Sequence, residues 1–185
     1  TDLVFGFTDA NGGNDVFVRD LILDTTVLIS RVGARAGDGT SFDPDISDSG
    51  RFVTFVSFAT NLSSGTTDDN GVPDVFVHDR DADVDGVFDE PGATRTALLS
   101  VSPAGTSGTG ASGGGPLGAS PTARPRISGD GRFVTFGTLA ADLAVFDPTP
   151  VDGPVTDMNG GLDVMKARIA DGALELVSIN FALTS

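Results

Sequence analysis

A short block repeats three times along this chain of 185 residues, and the repeat constrains the fold more than any other feature. The sequences DANGGNDVFVRD, DDNGVPDVFVHD and DMNGGLDVMKAR occupy Asp9–Asp20, Asp68–Asp79 and Asp157–Arg168. A chain that repeats at a period of several tens of residues builds one supersecondary unit per repeat and buries its core between neighbouring units. The sequence therefore predicts a row of similar units.

Two further blocks repeat in step with the first. PDISDSGRFVTF at Pro44–Phe55 matches PRISGDGRFVTF at Pro125–Phe136, and a series LIS, LLS, LVS ends at Ser30, Ser100 and Ser178. The spacing between blocks differs from copy to copy because insertions fall between them, where loops belong. We predict a single repeat region over 1–185, with units at about 1–46, 47–127 and 128–185.

The residues of these blocks favour strands. Arg51–Phe55 is rich in β-branched and aromatic residues and follows a turn that ends at Gly50, and the other copy carries the turn dipeptide Asp130-Gly131. Only two of the 26 acidic residues are Glu and only one residue is Lys, so the usual fillers of helix surfaces are nearly missing. The predicted fold class is all-β, with three or four strands per unit.

Side chains that recur in register are predicted to form the core. The recurring side chains are those of four phenylalanines, Phe52, Phe55, Phe133 and Phe136. Arg51 and Arg132 precede them, and we expect each to pair with an aspartate of a neighbouring unit.

The run from Gly50 to Ser102 resembles the TolB-like β-propeller repeats of secreted bacterial proteins, and the resemblance extends over nearly the whole chain. It implies propeller blades and an extracellular location, secreted or on the cell surface, and it says little about activity because propellers host many functions. About three units are present, whereas a closed propeller has at least four blades. We therefore expect further blades of a longer chain, or other copies of this chain, to complete an incomplete propeller through unpaired strands.

Composition removes several function classes. The net charge of −15 argues against nucleic-acid or anionic-membrane partners, and the apolar stretches are too short to insert into a membrane. Cys is absent, so thiolate chemistry is excluded. The only histidine, His78, takes the place held by Arg19 and Ala167 in the other copies. We interpret it as a solvent-facing strand residue without a catalytic role.

The pattern D-x-N-G-x-x-D occurs in all three copies and supplies three oxygen-bearing side chains to a tight loop. The sets are Asp9, Asn11 and Asp15; Asp68, Asn70 and Asp74; and Asp157, Asn159 and Asp163. Such oxygens can converge on Ca²⁺, which takes six to eight hard ligands in flexible geometry. The alternative is turn chemistry, in which Asp and Asn hydrogen-bond the backbone of their own turn.

The second unit contains an acidic insertion whose sequence, D-x-D-x-D-G, is the first half of an EF-hand-type loop. Its predicted calcium ligands are Asp81, Asp83, Asp85, Val87 through its carbonyl, Asp89 and Glu90. Gly92 stands where the full pattern has a bidentate Glu, so Glu90 would have to substitute. The alternative is a solvated acidic loop, and adaptation to salt is a second source of acidity.

Two functions follow. The first is a non-catalytic, extracellular, calcium-binding propeller module that acts as a scaffold, in interaction, or by self-assembly into a surface layer or filament. The alternative is a fragment of a secreted propeller enzyme, a lyase or hydrolase acting on polysaccharide. The absence of Tyr and Trp and the lone histidine favour the first.

Overall fold

The regular secondary structure of the described residues consists of β-strands. The computed structural model describes residues 9, 11–114, 124–143 and 161–177. These residues form twelve strands and contain no α-helix, which confirms the predicted all-β class. Consequently, no described helix has the length and apolar character needed to cross a bilayer.

The strands form two hairpins and two four-stranded sheets, all antiparallel. The first hairpin pairs β1 (Phe17–Asp20) with β2 (Thr25–Leu28), and a small hairpin pairs β3 (Arg31–Val32) with β4 (Arg35–Ala36). The two four-stranded sheets are called the second and third sheets because they follow the β1–β2 hairpin in the chain. The second sheet contains β5 (Ser41–Ile46), β6 (Phe52–Ser57), β7 (Asp74–Asp79) and β8 (Arg95–Leu98). The third sheet contains β9 (Arg126–Ile127), β10 (Phe133–Thr138), β11 (Asp163–Arg168) and β12 (Leu174–Leu176).

Both four-stranded sheets are meanders, in which each strand pairs with the next along the chain. The sheets begin at β5 and β9, whereas the predicted unit boundaries follow these strands at 46 and 127. Strand β6 follows a turn in which Gly50 has a φ of 75°, a conformation that glycine adopts without strain.

Equivalent segments make the same hydrogen bonds in all three units. Ile29 N donates to Val16 O, Leu99 N to Val75 O, and Val177 N to Val164 O, and the N···O distance is 2.8 Å in each case. The first hairpin therefore occupies the place that β7 and β8 hold in the second sheet. The described parts of the segments equated in the sequence therefore share this backbone contact.

The second sheet is buried on both faces. Phe55 and Phe76 stack at 5.8 Å between ring centroids and pack with Val16 of the first hairpin. Val75 and Val77 point the other way and pack with the third sheet. Burial on two faces explains why β6 and β7 are continuous apolar runs without the alternation of a half-buried strand.

The predicted aromatic core is confirmed at Phe55 and Phe136, which are both buried. Phe52 is half-buried against the core shared with the third sheet. Phe133 is half-buried near the Arg132 guanidinium and the Lys166 ammonium, 5.2 and 5.4 Å from its ring centroid.

The expectation for the arginines was wrong, because both pair inside their own sheet. Arg51 holds Asp79 through two hydrogen bonds, Nε to Oδ1 at 2.7 Å and an Nη to Oδ2 at 2.8 Å. The register of β6 and β7 sets Phe52 opposite Asp79 and so brings the start of one strand to the end of the other. Arg132 lies 3.9 Å from Asp130 in the preceding turn.

Phe55→Ala should lower the free energy of unfolding by about 3–5 kcal/mol, because it removes a fully buried ring and leaves a cavity. Leu21→Ala is the control, since Leu21 is 87% exposed, and it should change stability by less than about 0.5 kcal/mol. Urea denaturation of both variants measures the difference. Equal losses would contradict the placement of this core.

Candidate metal centre

Three carboxylates meet in the loop that joins β7 to β8. Asp81, Asp83 and Asp85 each present one oxygen, and these oxygens lie within 4.8 Å of one another. Asp81 is buried, whereas Asp83 and Asp85 are exposed. Such a cluster could hold a metal ion, with solvent reaching two of the three ligands.

The backbone of this loop is organised around the same carboxylates. Asp81 accepts hydrogen bonds from the backbone N–H of Asp85 at 3.1 Å and of Gly86 at 3.2 Å. Asp85 accepts one from the N–H of Val87 at 2.8 Å. Gly86 has a φ of 89°, which permits the sharp turn. Each carboxylate retains lone pairs for a cation, because a carboxylate offers about four acceptor positions.

The carboxylates of Asp89 and Glu90 are not part of this cluster. Asp89 pairs with Arg80, whose Nε lies 3.1 Å from both carboxylate oxygens and whose Nη lies 2.5 Å from Oδ2. Arg80 also lies over the Phe88 ring, 4.9 Å from its centroid. Val87 is exposed and Glu90 half-buried, and both stay predictions as ligands.

Asn11 and Asn70, the described asparagines of the D-x-N-G-x-x-D loops, make the hydrogen bonds of turn chemistry. Asn11 Oδ1 accepts from Gly13 N at 2.6 Å, and Asn70 Oδ1 accepts from Val72 N at 2.9 Å. In the first copy Asp9 Oδ1 also accepts from Asn11 N at 3.1 Å. The turn alternative therefore accounts for these contacts, and calcium at the three loops stays a prediction.

The same asparagines tie each loop to a later segment of the chain. Asn11 Nδ2 donates to Gly37 O at 2.7 Å, and Asn70 Nδ2 donates to Gly108 O at 2.6 Å. The repeat of this contact explains why the asparagine recurs with the motif. Of the third copy, Asp157 and Asn159 lie outside the described residues, and Asp163 is buried at the start of β11.

In the first and second copies, the last aspartate of the motif joins a serine of the LIS-type block. Ser30 Oγ donates to Asp15 Oδ1 at 2.9 Å, and Ser100 Oγ donates to Asp74 Oδ1 at 2.5 Å. Each serine also accepts a backbone N–H, from Val16 at 3.0 Å and from Val75 at 3.1 Å. These contacts fix the start of the motif strand to the end of its neighbour.

Asp74 and Asp68 form a buried carboxyl pair in the second copy. Asp74 is fully buried, and burial raises its pKa to about 7. Burial also raises the pKa of Asp68, whose Oδ2 is buried without a hydrogen-bond partner. Asn70 Nδ2 donates to Asp74 Oδ2 at 2.7 Å. A proton or a cation between the two groups would relieve the repulsion of two buried charges.

The interpretation of His78 as solvent-facing was wrong, because this residue is only 2% exposed. Its side chain lies on the face of β7 that is covered by the first unit, so the position is enclosed by packing between units. Burial, together with the nearby Arg31 charge, lowers the pKa of His78 to about 4. The imidazole is therefore neutral at physiological pH.

Comparison with protein-family models and with curated proteins found no match for this chain. Functional inference therefore rests on the geometry of the described residues.

Protonation of Asp74 should make the free energy of unfolding fall as pH rises from the ordinary value of 3.8 to about 7. In that window the folded state holds a proton that the unfolded state has released, so deprotonation favours unfolding. Asp74→Asn should flatten this slope, because its amide takes the place of the protonated oxygen.

Urea denaturation at several pH values, in metal-free buffer, measures the slope. Asp171→Asn is the control and should keep the wild-type slope, since the Arg168 guanidinium lowers the pKa of this exposed carboxyl. A slope that survives in the Asp74 variant would assign it to other groups.

Proposed function

We propose that this chain is a non-catalytic, extracellular, calcium-binding module built from TolB-like β-propeller blades. Its role in this proposal is that of a scaffold or interaction module that self-assembles, as in a surface layer or filament. The observation that carries the proposal is the cluster of Asp81, Asp83 and Asp85 in a loop of EF-hand-like spacing.

Calcium suits this cluster better than other common ions. The donors are carboxylate oxygens, which are the hard ligands that Ca²⁺ prefers, and water can complete the shell at Asp83 and Asp85. Mg²⁺ demands near-ideal octahedral geometry and gives up its waters reluctantly. Zinc and softer metals favour Cys and His, whereas this chain has no Cys and its one histidine is buried.

A bound ion would complete the anchoring of the acidic loop. The Arg80–Asp89 pair and the Phe88 ring fasten the part of the loop that follows the cluster. The cluster itself brings three like charges together, and their repulsion opposes the ordered loop. A divalent cation converts this repulsion into attraction and contributes its binding free energy to folding.

The stacked sheets support the propeller part of the proposal. Two four-stranded meanders lie in contact through one shared core, as consecutive blades do. The face of the third sheet opposite its core carries Val164, which is 37% exposed, at a position equivalent to Val75. Val75 is covered by the next unit. A further blade, or another copy of the chain, would cover Val164 in the same way.

Calcium should raise the melting temperature, and excess EDTA should lower it. At a calcium concentration 100 times the Kd the gain is about 2.7 kcal/mol, or roughly 5–10 °C for a chain of this size. The double variant Asp83→Asn with Asp85→Asn should lose this response because two of the three carboxylates are gone. Scanning calorimetry measures the shift, and calorimetric titration measures binding.

The control for charge is the double variant Asp24→Asn with Asp171→Asn, which removes two aspartates of exposed surface ion pairs. It should respond to calcium like the wild type. A response to magnesium equal to that to calcium would contradict the choice of ion. A melting temperature indifferent to both calcium and EDTA would remove the metal site altogether.

Self-assembly predicts a particle heavier than the 18.8 kDa chain in solution. Val164→Glu should reduce the mass, because it places a charge on the uncovered face of the third sheet. Size-exclusion chromatography with light scattering, with and without calcium, measures both. A monomer at all concentrations would rule out assembly by this chain alone and leave completion by further blades.

A further inference from the structure

The buried carboxyl pair of the second copy has a third oxygen-bearing side chain beside it, that of Ser107. This residue lies in the segment that follows β8, and its backbone N–H donates to Thr67 O at 2.9 Å. The Ser107 hydroxyl and the Asp74 carboxyl are both close enough to Asp68 to lower its pKa. Asp68, Asp74 and Ser107 are 5%, 0% and 6% exposed. We refer to these three side chains as the buried oxygen cluster.

Two oxygens of this cluster are buried without a hydrogen-bond partner. They are Asp68 Oδ2 and Ser107 Oγ, which come from different segments of the chain. A buried polar atom without a partner costs stability, and native proteins rarely leave one unexplained. Oxygens that share a Ca²⁺ ion lie about 2.3–2.6 Å from the metal and need no hydrogen bond to one another. An ion between the two side chains would therefore satisfy both oxygens.

The charges around the cluster favour a cation. Neither Asp68 nor Asp74 forms an ion pair with a described residue. The nearby charges that raise the pKa of Asp68 belong to Asp69 and Asp38, which are acidic as well. Two neighbouring carboxylates repel each other in a buried site, and one divalent cation neutralises both.

The first copy of the motif lacks this arrangement although its sequence pattern is the same. Ala36 holds the place of Ser107, because each forms a β-bridge with the residue after the LIS-type serine of its unit. The first copy therefore has no hydroxyl at this point. Asp9, the equivalent of Asp68, is exposed rather than buried. The buried oxygen cluster is thus a property of the second copy and supplies an internal comparison.

We propose that the buried oxygen cluster binds one Ca²⁺ ion. Asp68 through Oδ2, Asp74 and Ser107 through Oγ are its ligands, and all are the hard oxygen donors that Ca²⁺ prefers. Compared with the set expected from the motif alone, Ser107 takes the place of Asn70. The Asn70 side chain is already engaged, since its Oδ1 accepts from Val72 N and its Nδ2 donates to Asp74. The site is separate from the cluster of the acidic loop and does not depend on it.

The variant Asp83→Asn with Asp85→Asn isolates this site, because it lacks the calcium response of the acidic loop. Calorimetric titration with calcium chloride at pH 8 should find one ion per chain in this background and two in the wild type. The amide resonances of residues 68–70 and 106–108 should shift on saturation and so locate the ion. One ion in both proteins would contradict the acidic-loop site alone, so the two proposals fail separately.

Substitutions in the same background test the ligands. Asp68→Asn should weaken calcium binding at least tenfold, because it removes a charged ligand. Ser107→Ala should weaken it about threefold, because it removes a neutral one. The fold accommodates alanine there, as Ala36 shows in the first copy. Asp9→Asn is the matched control and should leave the Kd unchanged, and circular dichroism verifies the folding of each variant.

Several results would overturn this assignment. Absence of calcium binding in the background variant would leave a shared proton or a buried water as the partner of the two oxygens. A Kd unchanged by Asp68→Asn, or a loss as large in Asp9→Asn, would place the ion elsewhere. Magnesium binding as tight as that of calcium would contradict the choice of ion.

Discussion

The structure depends on the burial of the second sheet between two partners. Strands β6 and β7 direct apolar side chains to both sides, so neither side can be left to water without losing several kcal/mol of hydrophobic stabilisation. A single unit of this kind cannot satisfy both faces from its own residues. The repeat is thus a physical requirement, because each unit completes the core of the one before it.

Polar contacts then fix how the units meet. The aspartate that begins each motif strand is held by a serine in the first and second units, as in Asp74 with Ser100, and the nearby asparagine reaches the following connection. The cost of burying Asp74 is visible in its raised pKa. Such contacts add little net stability, but a mispaired strand would leave these groups unsatisfied, and so they select one register.

Repetition made much of this predictable. The described parts of the equated segments share one backbone hydrogen bond per unit, and the D-x-D-x-D-G spacing located the three clustered carboxylates. Other features depend on tertiary packing that no single segment records. The position of His78 holds a different residue in each copy, as surface positions often do, but in the second unit it is covered by the first unit. The partner of Arg51 depends on strand register, which sets the start of β6 opposite the end of β7.

The connection between the last two strands differs sharply between units whose strands are alike. In the first hairpin it is the short turn from Leu21 to Asp24, and in the second sheet it is the acidic loop from Arg80 to Thr94. The strand pairing that flanks both is the same, with Phe17 opposite Leu28 and Phe76 opposite Leu98. This connection can therefore be lengthened or replaced, by evolution or by a protein engineer, without changing the pairing of the strands that flank it.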